Sequence, residues 1–124
     1  MSERYVTAQV RTYSTGVPGR HLCDARHNHF VVDDMAHHGG PAEAVSAAEL
    51  FLSGITACAT LMMERLARES NLPLKRADVT MEGTIDTQMQ REGPVVLDRA
   101  RMNFVLAGIN DAQAKQLVET YKRR

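Results

Sequence analysis

The chain contains no tryptophan, only two cysteines and four prolines, and no surplus of charge, with 15 basic residues matched by 15 acidic ones. Each shortage removes a class of explanation. A net charge of zero supplies no overall field for DNA, RNA or an anionic membrane surface, and the basic ending Lys122-Arg123-Arg124 is too short to replace one. Two cysteines, Cys23 and Cys58, cannot build a disulfide framework, which leaves free-thiol chemistry open. No phosphate-cradling glycine loop and no Ser/His/Asp order is present, so no cofactor is expected. The longest apolar-rich stretch, Ala47 to Met63, already contains Glu49. Met1-Ser2-Glu3-Arg4-Tyr5 lacks the charged-then-apolar pattern of a secretory signal, so a cytoplasmic protein with no membrane partner is expected. With 124 residues the chain is expected to form a single domain, 1–124.

What is present is a clear division into extended and helical stretches. Tyr5 to Tyr13 alternates as a strand does, Gly16-Val17-Pro18-Gly19 marks a turn, and His29-Phe30-Val31-Val32 is a further extended run ending at Asp33-Asp34. Gly39-Gly40-Pro41 marks a loop, and Ser46 is placed to cap the next element. From Ala47 to about Asn71 helix formers dominate without a proline, until Leu72-Pro73 stops the run. Leu50, Phe51, Leu52, Ile55 and Ala57 point to nearly every side of this helix, which predicts a first half buried all round. Ala77 to Ile85 and Ala100 to Leu106 read as strands joined by a hairpin turn at Arg91-Glu92-Gly93-Pro94, and Asn110 or Asp111 caps a last helix, Ala112 to Tyr121. Strands and helices segregate, so the fold class is α+β with antiparallel sheets and a long buried central helix. One sheet of this size cannot cover an all-apolar helix, and a second copy of the chain is the economical source of the missing layer.

Chemistry has two candidate seats. Cys58 lies in Ser53-Gly54-Ile55-Thr56-Ala57-Cys58-Ala59-Thr60, whose small residues allow close approach to the helix, although a free cysteine is commonly just a small buried hydrophobe. His27 and His29 fall on one face of a strand, and His37-His38 come soon after, near Asp33 and Asp34. Their spacing matches no established metal motif, so no metal is expected.

Phe30-Val31-Val32-Asp33, then Gly39-Gly40, then Ala48-Glu49-Leu50-Phe51-Leu52 with Ala57-Cys58, then Leu74 and Val79-Thr80-Met81-Glu82-Gly83, together resemble the OsmC/Ohr family over His29 to Asp86. The resemblance implies an OsmC-like fold, an intertwined homodimer, and a peroxidatic Cys58 that reduces organic hydroperoxides with an external thiol or dithiol. It also implies a Glu and an Arg beside the thiol, the cation to lower its pKa and orient the peroxide, the carboxylate to hold the cation. Glu49 is the nearest carboxylate, since the position ten residues before Cys58, where hydroperoxide reductases carry their Glu, is Ala48. For the cation Arg26 is chosen ahead of Arg20. Two-cysteine members have a resolving Cys after the last helix that has no counterpart before Arg124, which leaves Cys23 or an external thiol to resolve a sulfenate. The alternative is an OsmC-like small-molecule binding or stress protein without peroxidase turnover.

Overall fold

The computed structural model describes residues 4–88 and 97–123. In chain order these form β1 (Arg11–Ser14), β2 (Arg20–Ala25), β3 (Asn28–Asp33), a single 3-10 turn (Ala36–His38), α1 (Ala47–Glu69), β4 (Arg76–Thr84), β5 (Arg99–Ala107) and α2 (Asp111–Lys122). The architecture is α+β, with two antiparallel sheets and one long helix. The chain divides into two compact units, Met1–Leu50 and Phe51–Arg124, the division falling just after the first turn of α1.

The first unit is a three-stranded antiparallel sheet in the order β1-β2-β3. The expected strand from Tyr5 is shorter than its alternation suggests, because β1 pairs with β2 only from Arg11 opposite Asp24 to Ser14 opposite His21. Residues before Arg11 would need partners beyond Ala25, where β2 has already turned into β3. Tyr5, Val6 and Val10 accordingly lie exposed. The turn between β2 and β3 has two residues, Arg26 and His27, since Ala25 pairs with Asn28. Further on, Gly40 lies so close to Asp34 that a Cβ there would collide with the Asp34 carbonyl, which is the reason for a glycine in the loop. Ser46 and Glu49 start α1 with a reciprocal capping box: the Glu49 N–H donates to Ser46 Oγ at 3.2 Å, and the Ser46 N–H donates to Glu49 Oε1 at 2.9 Å.

In the second unit, α1 ends in a Schellman motif. Asn71 takes φ 55°, its N–H donates to the Arg68 carbonyl, and the Leu72 N–H donates to the Ala67 carbonyl. Pro73 then prevents continuation. β4 pairs with β5 from Arg76 opposite Ala107 to Thr84 opposite Arg99, one residue earlier at its start than the alternation suggested; the turn at Arg91 to Pro94 lies outside the described residues. Met63, Leu66 and Ala67 of α1 pack with Leu117 of α2 as a core, and Ala77, Phe104, Leu106 and Tyr121 close around it. Asn110 caps α2 in a second capping box with Gln113. The all-round burial expected of the first half of α1 is not found in the single chain, where Phe51 is 63% exposed; the second half is amphipathic, with Ala59, Met63, Leu66 and Ala67 buried and Leu61 51% exposed.

Candidate active site

Cys58 is a free, exposed thiol near the middle of α1. The helical hydroxyls beside it are turned back onto their own backbone, Thr56 Oγ1 donating to the Ser53 carbonyl at 3.1 Å and Thr60 Oγ1 to the Thr56 carbonyl at 2.8 Å. Phe51, Gly54, Cys58 and Leu61, at the three- and four-residue spacing of one helical face, are all exposed. The thiol thus sits in a stripe of apolar and small side chains.

The most tightly built polar arrangement of the first unit centres on Arg20. Its Nε donates to Asp33 Oδ1 at 2.8 Å and its Nη2 to Asp33 Oδ2 at 2.9 Å, a two-pronged pair. Nη2 also donates to Glu43 Oε1 at 3.0 Å. Asp33 is 1% exposed, and its Oδ2 accepts from the Glu43 and Ala44 N–H groups at 3.0 and 2.9 Å. The hydrogen bonds from Arg20 are the largest cause holding the Asp33 carboxyl well below the usual carboxylate range, ahead of the opposing effect of burial. The same pair, with Glu43, raises Arg20 above its ordinary value. Among the described residues Nη1 of Arg20 makes no hydrogen bond, so two of the guanidinium's five donors stay open.

Arg26 occupies the turn between β2 and β3; it is exposed, with φ 58°, and makes no ion pair among the described residues. Glu49 lies in the first turn of α1, where its hydrogen bonds with Ser46, the backbone one first, lower its pKa. On a regular helix Glu49 and Cys58 stand about half a turn out of phase and roughly 13 Å apart along the axis. Cys23 is buried in β2, its Sγ 3.0 Å from Thr12 Oγ1. The histidines are dispersed into separate pairs, His29 Nδ1 with Asp24 at 2.6 Å and His38 Nδ1 with Asp34 at 2.8 Å, while His27 sits in the turn. Among the described residues no three His, Cys, Asp or Glu side chains converge as metal ligands would.

A family model for OsmC-like proteins matches residues 39–124, a span that begins at the Gly39-Gly40 loop and carries Cys58. The chain belongs to the OsmC-like family. Solved structures agree on the fold. An OsmC-like protein from Mycoplasma pneumoniae superposes with a TM-score of 0.81 at 12% identity, covering 96% of this chain and 82% of that one. An organic hydroperoxide resistance protein OsmC from Legionella pneumophila gives 0.76 at 18% identity, covering 94% and 82%. A putative organic hydroperoxide resistance protein from Vibrio cholerae, with captopril bound in one of its active sites, gives 0.63 at 26% identity, covering 97% and 79%. No curated protein matches the chain. As an OsmC-like helix, α1 takes the central place in this fold, which accounts for a length and apolarity that would otherwise suit a membrane span. What the sequence did not bring out is the pairing of Asp33 with Arg20. The two-residue turn at Arg26-His27 places Asp33 directly opposite Arg20.

Proposed function

We propose that this OsmC-like chain is a thiol-dependent peroxidase that reduces organic hydroperoxides, with Cys58 as the nucleophile, in the cytoplasm. The observation that carries the reading is an exposed cysteine on the central helix of a family whose solved members include organic hydroperoxide resistance proteins. The Cys58 thiolate attacks the terminal oxygen of ROOH. The O–O bond breaks, the alkoxide takes a proton and leaves as ROH, and Cys58 becomes a sulfenic acid. An external thiol condenses with it to release water and form a mixed disulfide, which a second thiol reduces. A cation is needed to favour the thiolate and to donate to the departing oxygen. Between the two arginines weighed from sequence, the pre-organised geometry favours Arg20 of either chain over the exposed Arg26 for that role. Glu49 keeps a supporting role by holding the start of α1. The exposed stripe at Phe51, Gly54, Cys58 and Leu61 favours a homodimer as the working form.

The decisive experiment measures consumption of cumene hydroperoxide with dithiothreitol and with dihydrolipoamide, for wild type and Cys58→Ser. Turnover that vanishes in Cys58→Ser is expected, and equal turnover in both proteins refutes the reading. With stoichiometric peroxide and a sulfenic-acid trap, mass spectrometry is expected to find Cys58 labelled before Cys23. Arg20→Met is expected to slow that labelling at least tenfold, about 1.4 kcal/mol of barrier, and Arg26→Met to do less.

A second reading, an OsmC-like binding protein without turnover, draws on Ala48 and on the engagement of the Glu49 carboxylate with Ser46. Retention of a hydrophobic thiol ligand without peroxide consumption would select it.

A further inference from the structure

Resting on the reading of Cys58 as the peroxidatic thiol, we infer that Gly54 is a specificity-determining residue: its missing side chain leaves a slot for the carbon that bears the hydroperoxide, so that branched, tertiary hydroperoxides reach the sulfur as well as linear ones. Gly54 lies inside α1 without a positive φ, and a glycine in a helix interior is less stable than an alanine there. The packing of the chain does not ask for it. Apart from its two neighbours and the surrounding helix backbone, no atom of the described residues, the Cys58 thiol included, lies within 4 Å of where a Cβ at Gly54 would stand. Gly83 is the contrast, since a Cβ there would meet Leu97 at 3.0 Å and Leu52 at 3.4 Å.

The empty space lies where the reaction needs it. Gly54 is four residues before Cys58 on the exposed face that Phe51 and Leu61 bound. Helical side chains lean toward the N-terminus of their helix. Leu61 therefore leans back over the thiol and closes that side, the thiol leans over the turn of Gly54, and Phe51 leans away toward the start of α1. The open approach to the sulfur runs over the glycine. In the attack on ROOH the sulfur, the oxygen it takes and the oxygen it displaces lie near one line, with roughly 3 Å between sulfur and oxygen at the outset. The carbon that carries the peroxide then sits about 5 Å from the sulfur, close to the rise of one helical turn, at the level of residue 54. A methyl group there would stand against the branches of a tertiary carbon and still leave room for a linear one. An element laid across the stripe rests on the large side chains of Phe51 and Leu61 and bridges the dip between them, so the slot is compatible with a homodimer.

The test uses tert-butyl and n-butyl hydroperoxide, isomers that differ in branching at the carbon bearing oxygen. Rate constants for loss of the Cys58 thiol are read on the full chain by iodoacetamide alkylation and mass spectrometry, for wild type, Gly54→Ala and Gly54→Val. The tert-butyl to n-butyl ratio is expected to fall roughly tenfold in Gly54→Ala, which adds one methyl group, and further in Gly54→Val. Urea unfolding of Gly54→Ala is expected at a higher midpoint than wild type, because alanine is the better helix former. Selectivity lost while stability is gained separates the slot from damage to the fold, and Gly54→Ala gives the answer even if Gly54→Val does not fold. An unchanged ratio in Gly54→Ala, or equal slowing with both isomers, overturns the inference. So does a variant that sediments as monomer and recovers the wild-type ratio once concentrated into dimer, since the glycine then serves a close crossing between copies. If wild-type Cys58 reacts with neither isomer, the peroxidase reading itself fails; if it reacts and all three proteins share one ratio, only the role of Gly54 falls.

Discussion

Burial by itself drives a carboxyl toward its neutral form, yet Asp33, at 1% exposure, is held ionised by the Arg20 pair and by the Ala44 and Glu43 N–H groups. Because its folded-state pKa lies below the unfolded value of 3.8, the stabilisation is fully present above that value and is lost as pH falls below it. Thermal melts of wild type are therefore expected to lose stability steeply below about pH 4, and Asp33→Asn, destabilised at neutral pH, is expected to show a flatter acid limb. Equal acid slopes in the two proteins would show that Asp33 is not a main source. The candidate thiol Cys58 stood out in the sequence because small residues and the OsmC-like pattern surround it. The pairing of Arg20 with Asp33 did not, because it depends on a turn. Arg26 adopts φ 58° without being Gly, Asn or Asp, so nothing local announced Arg26-His27 as the turn, and with the turn unplaced the facing of Arg20 and Asp33 stayed hidden.

Helices were read well because their ends carry their own chemistry. Ser46 with Glu49, and Asn110 with Gln113, satisfy backbone N–H groups that the first turn of a helix leaves open, and the Asn71-Leu72-Pro73 sequence closes α1 as its order suggests. Asn110→Ala is expected to destabilise the fold by about 1 kcal/mol without affecting thiol reactivity, as read by urea unfolding and by alkylation. Met63, fully buried between α1 and α2, is expected to cost about 2–5 kcal/mol when cut to Ala; a loss under about 1 kcal/mol would show a core that collapses to fill the gap. Strands were read less well for a reason of the same kind. Alternation from Tyr5 records a preference for extended backbone, but a strand exists only where a neighbour runs alongside, and β2 ends at Ala25. The β4 and β5 pair, whose half-buried positions alternate along both strands, came out nearly as expected.

At the scale of the whole molecule, α1 presents Phe51 in its first half and Leu61 just past its middle to solvent at 63% and 51% exposure, although composition marked the first half as interior. An isolated chain is expected to cover that face with a second copy. Sedimentation should find a dimer at micromolar concentration, and Phe51→Glu or Leu61→Asp should shift it toward monomer while leaving the core around Met63 folded. An unchanged dimer in both variants would place the contact elsewhere. Cys58 lies between these two side chains on the same exposed face, so whatever seals the stripe also decides the surroundings of the thiol. Association and thiol reactivity then become linked by mass action. Diluting the protein below its dissociation constant should change not only how many molecules react but how well each one does, so the rate per subunit would itself depend on concentration, and abundance in the cell would act as a dial on chemistry as well as on quantity.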